Sequence, residues 1–142
     1  TLDLYSGGFG SGLAGRLLGW SCACAVEFDP YACAVLEKRQ ADLGENFPIW
    51  TSAEDWDAFG TCPVTGERWR DRIDGVVAGF PCQPFSKSGE QLGRSCPKDG
   101  DLFSLTVEIL KSKKPKYLIL ENVPNLEKHD AKYYPVNCKP KR

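Results

Sequence analysis

Short apolar runs alternate with longer segments of helical spacing along this chain. Residues 2–5 form an apolar stretch that runs straight into Ser6-Gly7-Gly8-Phe9-Gly10-Ser11-Gly12. That order predicts a strand, a glycine-rich turn and a helix, with Leu13, Ala14, Leu17 and Leu18 at helical spacing and Gly19 closing the segment. Residues 21–28 read as a second buried strand. Asp29 is a good N-cap and Pro30 suits the first helical position, so a helix is expected through Arg39. A third strand is expected over 48–51. Residues 52–72, rich in Trp, Asp and Arg without a clear period, read as a short helix and a surface loop. The β-branched run over 73–78 predicts a fourth strand, followed by a long loop over 79–100. Residues 101–112 carry a wide apolar helical face, and Tyr117 to Leu120 form a continuous apolar strand of the kind found inside a parallel sheet. The tail over 130–142 reads as irregular.

Strands alternating with helices imply an open α/β sheet, and right-handed crossovers order its strands 3-2-1-4-5. Ligands of such sheets bind at the carboxyl ends of the strands, near the switch point between strands 1 and 4. Three sequence features fall at those ends: the glycine turn, residues 79–86, and Glu121-Asn122-Val123.

Composition narrows the classes. The 142 residues are 42% hydrophobic and 26% charged, which is ordinary for one globular domain. A net charge of −1 gives no global attraction to nucleic acid, so contact with DNA would need local basic patches or a further part of the protein. No apolar run approaches the ~20 residues of a membrane span, and residues 1–6 lack a signal-peptide pattern. Seven cysteines without a Cys-x-x-Cys pair argue against a disulfide scaffold and a structural zinc site; reduced thiols in a cytosolic protein are expected. The absence of methionine and a start inside a strand lead to the expectation that this is an excerpt of a longer gene product.

The candidate chemistry lies in the same three features. Gly10-x-Gly12-x-x-Gly15 matches the dinucleotide fingerprint formally, but the glycines that follow the strand directly are Gly7 to Gly10. Glu27 ends strand 2, where an acid can accept both hydroxyls of a ribose, and Phe28 beside it can stack on an adenine. Cys82 stands between Pro81 and Gln83-Pro84 just past a strand end. A stiff loop at a ligand edge suits a thiolate nucleophile, although a loop cysteine taken alone is more often inert. Glu121 ends a buried strand, where desolvation raises a carboxyl pKa and suits it to sharing a proton; alone, it would be taken for a helix cap.

Together these residues resemble the DNA (cytosine-5) methyltransferase family. Asp3-Leu4-Tyr5-Ser6-Gly7 with residues 8–13 looks like the family's first motif, and Glu27-Phe28-Asp29 is similar to its second. Gly79-Phe80-Pro81-Cys82-Gln83-Pro84-Phe85-Ser86 looks like its nucleophile loop, and Glu121-Asn122-Val123 like its catalytic glutamate motif. The resemblance covers residues 1 to about 130. It implies a Rossmann-like sheet, here incomplete, that uses S-adenosyl-L-methionine and acts on a cytosine flipped from duplex DNA. Cys82 and Glu121 would be catalytic. Tyr5, Ser6, Gly7, Gly8, Glu27, Phe28, Pro81 and Leu102 would line the cofactor site, and Gln83, Ser86 and Asn122 would meet the substrate. No metal is implied. The chain would be a partial catalytic domain without its target recognition domain, cytoplasmic or nucleoid-associated, completed by a C-terminal half and with a restriction enzyme as a possible partner.

Departures from the family pattern bear on activity. Phe9-Gly10 replaces a usual Gly-Gly pair, Ser52 falls where an adenine-contacting Asp is expected, and Asp99 precedes Gly100 where Arg is common. Nothing after Glu121 supplies the Gln-x-Arg-x-Arg motif, so the isolated chain is expected to be nearly inactive. The rival readings are a nicotinamide- or flavin-binding oxidoreductase, a non-catalytic remnant or split subunit, and a methyltransferase acting on RNA. His129, the lysines at 111, 113, 114 and 116, and Trp50, Trp56 and Trp69 read as surface or rim residues.

Overall fold

The structure, a computed structural model, describes residues 1–53, 66, 68, 73–80 and 102–122. The chain divides into two compact units. Thr1–Phe80 with Phe103–Glu121 forms the first; Pro81–Leu102 with Asn122–Arg142 forms the second, in which Leu102 and Asn122 are described.

The first unit is a parallel sheet of β1 (Leu2–Leu4), β2 (Cys24–Val26), β3 (Ile49–Trp50), β4 (Gly75–Ala78) and β5 (Tyr117–Leu120), in the order β3-β2-β1-β4-β5. This is the α/β class and strand order expected from the alternation of apolar patterns. The helices are α1 (Gly10–Leu17), α2 (Pro30–Leu43) and α3 (Leu102–Lys113).

Strand periodicity separates the two faces. Leu2 and Leu4 pair with Cys24 and Val26 on one side and with Val76 and Ala78 on the other. These residues form one buried cluster with Ile109 of α3, against which Leu105 and Leu110 also pack. The residues between them point the other way, and Ala25 packs there with Phe9, Leu36 of α2 and Phe47. Helices thus cover both faces, which is what makes near-continuous apolar strands stable.

Three differences from the sequence-based expectation have physical causes. Helix α1 starts at Gly10, before the apolar spacing begins, because Phe9 turns the chain in the left-handed region (φ 68°) and Leu13 N–H donates to the Phe9 carbonyl at 3.0 Å. A left-handed conformation costs an aromatic residue about 1–2 kcal/mol. Full burial of the ring returns more, about 2–3 kcal/mol, and it stacks on Phe47 with centroids 4.7 Å apart. Helix α2 runs past Arg39 to Leu43, starting at the Asp29 cap, whose Oδ1 accepts from Ala32 N–H at 2.8 Å. It stops at Gly44 (φ 62°), where Glu45 N–H donates to the Gln40 carbonyl at 3.0 Å. Strand β5 takes the edge position that the order 3-2-1-4-5 gives it, but, expected to be buried, it is open among the described residues, with Tyr117 to Leu120 each 42–62% exposed. Most of the helix and loop expected over 52–72, most of the loop over 79–100 and the tail over 130–142 lie outside the described residues.

The Phe9 ring sets a test of packing. It occupies the space a Cβ on Gly12 would need, whereas a Cβ on Gly10 meets nothing within 4 Å. Gly12→Ala is expected to lower stability by about 1–3 kcal/mol, and Gly10→Ala to leave it unchanged or raise it by up to ~1 kcal/mol. Urea unfolding of the two variants checks this; equal effects would show that the ring does not hold this position.

Candidate functional site

The segments after β1, β2, β4 and β5 meet at the carboxyl edge of the sheet. The chain leaves β1 through Tyr5 (φ 59°), Ser6 and Gly7 (φ 51°). Ser6 N–H donates to the Val26 carbonyl at 3.0 Å, and its hydroxyl donates inward to the Asp3 carbonyl at 2.8 Å. Phe9 N–H then closes the turn on the Ser6 carbonyl at 2.9 Å. A side chain at Gly7 or Gly8 would meet nothing within 4 Å, so this backbone borders open space.

Glu27 governs the turn from the neighbouring strand. Its carboxylate is buried; Oε2 accepts from Gly7 N–H at 2.7 Å and Oε1 from Asp29 N–H at 2.8 Å. An ionised carboxylate has about four acceptor positions, so each oxygen keeps one for a further donor. Phe28 beside it is 69% exposed, an aromatic face without cover among the described residues.

On the other side of β1, Glu121 N–H extends the ladder to the Ala78 carbonyl at 3.0 Å. The position a Cβ would take on Gly79 is 3.5 Å from Glu121 Oε2. The carboxylate therefore lies beside the first residue of 79–86, at ordinary van der Waals distance from it. Tyr5 reaches the same region: its ring meets Phe80 edge-on at 6.5 Å, and its hydroxyl lies 3.1 Å from that of Thr106. Burial pushes the Tyr5 hydroxyl above its usual pKa, against the hydrogen bond with Thr106.

Of the predicted site residues, Tyr5, Ser6, Gly7, Gly8, Glu27, Phe28 and Glu121 thus belong to the carboxyl edge of the first unit. Leu102 and Asn122 fall in the second unit. Pro81, Cys82, Gln83 and Ser86 lie outside the described residues. The fingerprint glycines Gly10, Gly12 and Gly15 are all inside α1, where Gly12 faces the Phe9 ring and Gly15 the Trp20 ring. Gly12 serves packing, and Gly10, Gly12 and Gly15 lie within the helix rather than in a turn that follows β1.

A family comparison separates the methyltransferase reading from the oxidoreductase one. The sequence pattern of the family described as C-5 cytosine-specific DNA methylase matches residues 1–139. The chain belongs to this family. Relatives include the type II methyltransferase M.NgoBI of Neisseria gonorrhoeae, 37% identical over 92% of this chain and 37% of the relative. M.AluI of Cellulosimicrobium cellulans is 40% identical over 88% of this chain and 22% of the relative. M.HhaI of Haemophilus parahaemolyticus is 34% identical over 91% of this chain and 35% of the relative. The chain therefore spans about a fifth to two fifths of the length of these methyltransferases.

Several features of this C-5 methylase chain escape a reading of motifs. The Asp3 side chain is buried, and the Ser11 hydroxyl lies 2.8 and 2.7 Å from its two oxygens, bracing the first turn of α1 against β1. The signal was present, a charged residue alternating with Leu2 and Leu4 in a buried strand. Thr106, fully buried on α3, carried no signal beyond being polar on an apolar face. Among the described cysteines, Cys22, Cys24 and Cys33 are free thiols, and burial pushes Cys22 up to about 12, so it stays protonated at neutral pH. A cavity of about 400 Å³ opens at the opposite, amino end of the strands, lined by Thr1, Trp20, Ser21, Asp74 and Tyr117 among others, and takes in none of the motif residues. No helix among the described residues is long and apolar enough to cross a membrane.

Asp3 generates a pH prediction. Burial raises its carboxyl from 3.8 to about 6, outweighing the Ser11 hydroxyl that lowers it. The folded chain then holds this proton more tightly than the unfolded chain. The stabilisation is complete below pH ~3.8 and is lost as pH rises through about 6, on the order of 3 kcal/mol in total. Asp3→Asn removes the titration, so the stability of the variant relative to the parent should rise across pH 4–7. Urea unfolding at several pH values measures the difference, and a difference independent of pH would mean that Asp3 titrates normally.

Proposed function

We propose that this chain is the cofactor-binding and nucleophile-bearing part of an enzyme that methylates cytosine at C5 in DNA, with S-adenosylmethionine as donor. The observation that carries the reading is the family match over residues 1–139, which takes in both Pro81-Cys82-Gln83 and Glu121-Asn122. The partial span of the relatives supports a division of labour, in which a further part of the protein reads the DNA sequence and completes the site. DNA is then the partner, and the weak net charge of −1 leaves most phosphate contacts to that further part.

The carboxyl edge fits the cofactor. The remaining acceptor positions of Glu27 suit the two hydroxyls of a ribose, the exposed Phe28 ring suits an adenine face, and the open backbone at Gly7 and Gly8 admits close approach. Tyr5 would border the same site, Ser6 through its place in the turn, and Pro81 and Leu102 from residues following β4. S-adenosylmethionine, when bound, supplies the methyl group.

Cys82 as thiolate would add through Sγ to C6 of the flipped cytosine. The electron pair moves toward N3, where Glu121 hydrogen-bonds and donates a proton as charge develops. The saturated C6 would leave C5 nucleophilic, and C5 would gain the methyl with S-adenosylhomocysteine as the leaving group. Loss of the C5 proton to a base would then re-form the C5–C6 double bond and expel Cys82 as thiolate, while N3 returns its proton to Glu121. The Glu121 carboxylate lies beside Gly79, which shortly precedes Cys82 in the chain. Ser86 would hold a phosphate beside the flipped nucleotide, with Gln83 and Asn122 near the base.

Calorimetric titration of the chain with S-adenosylhomocysteine, with NAD as control, tests the cofactor half. The parent is expected to bind the first and not the second, and Glu27→Ala to weaken binding by at least about tenfold, the loss of a charged hydrogen bond. Tight binding of NAD alone would replace this reading with a dinucleotide-binding oxidoreductase. For the nucleophile, DNA containing 5-fluorocytosine, mixed with the chain and its supplied C-terminal part, should trap a covalent adduct that Cys82→Ser abolishes; an adduct surviving that substitution would remove Cys82 from the mechanism.

A further inference from the structure

We infer that Thr106 is a positioning residue that, through the hydroxyl of Tyr5, ties the glycine turn to both ends of the segment bearing Cys82. The inference rests on the proposed role of Cys82.

Tyr5 sits where β1 enters the turn, and its φ of 59° is an unfavourable conformation for a bulky aromatic residue. Such a conformation persists where surrounding contacts over-determine it. Two of those contacts come from residues adjoining the same stretch of chain. Phe80, buried and immediately before Pro81, receives the Tyr5 ring at 6.5 Å and 73°. Thr106, on the opening turns of α3, has its hydroxyl 3.1 Å from the Tyr5 hydroxyl. Phe103, one turn earlier on α3, closes the cluster: its ring centroid is 5.7 Å from that of Phe80. The chain therefore departs from this cluster at Phe80 and returns to it at Phe103. The two ends are held side by side, with the start of the turn against both.

The residue types speak for the hydroxyl pair rather than for packing alone. Phenylalanine at position 5 would keep the ring contact with Phe80. Valine at position 106 would fill the same volume in a fully buried site without desolvating a hydroxyl, which costs free energy unless it is hydrogen-bonded. Both positions instead carry a hydroxyl, and the two lie within hydrogen-bond distance of each other. A shift of the turn on cofactor binding would reach the anchor of the Cys82 segment through this bond.

The experiment compares the parent chain with Thr106→Val, Tyr5→Phe and Thr106→Ser. Two quantities are read: affinity for S-adenosylhomocysteine by calorimetry, and the rate at which iodoacetamide alkylates each cysteine, resolved by peptide mass. Cys24, 1% exposed, reports general opening of the fold. Thr106→Val and Tyr5→Phe are expected to speed alkylation of Cys82 by about fivefold, the effect of losing one net hydrogen bond, with the Cys24 rate unchanged. They should also weaken ligand binding by a similar factor, while Thr106→Ser keeps the parent values. A Cys82 rate that does not move, or moves only in parallel with Cys24, overturns the inference and leaves the cofactor reading standing. A parent chain that binds no S-adenosylhomocysteine, but whose Cys82 still responds to Thr106→Val, overturns the cofactor reading and keeps the inference.

Discussion

A single buried carboxylate organises the functional edge of this fold. Glu27 takes the N–H of Gly7 on one oxygen and that of Asp29 on the other, and Asp29 in turn caps α2. One side chain thus joins the turn after β1, the end of β2 and the start of the helix that follows. Each bond to an ionised acceptor contributes about 1.5–3 kcal/mol, more than an ordinary backbone bond. Burial strengthens the requirement, because a carboxylate taken out of water must keep its donors. The same residue that can receive a ligand also holds the loop against which the ligand would lie.

The other face of the turn is built from compensations. Phe9 occupies a backbone conformation usually left to glycine, and full burial against Phe47 outweighs the strain. Its ring in turn demands glycine at position 12. Asp3 meets the same helix from below, held by Ser11. This chain keeps the turn with a large residue at position 9 and a small one at position 12.

Much of this was legible in the order of residues. The strand order follows from alternation and handedness alone, and Asp29, Pro30 and Gly44 mark the ends of α2 by their chemistry. Glu27 and Phe28 stood out because a polar residue at a strand end faces the ligand edge. What could not be read was conformational or relational. The early start of α1 depends on a left-handed Phe9, which no periodicity encodes. The pairing of Tyr5 with Thr106 joins residues far apart in the chain, and neither carries a mark of the other. Strand β5 read as buried because its composition is apolar, although the order 3-2-1-4-5 places it at an edge; burial is set by neighbours, which composition does not specify. Cys82, the residue that most decided the sequence reading, lies outside the described residues, and its role rests on the motif and the family.

The exposure of β5 has a consequence for handling the polypeptide. Tyr117 to Leu120 present apolar side chains, and one side of the strand carries no pairing strand among the described residues. Unpaired strand edges of this composition act as templates for other chains. A net charge of −1 supplies little repulsion to keep two copies apart. Among the described residues, the open side of β5 is therefore the place where a second copy of the chain could add a strand.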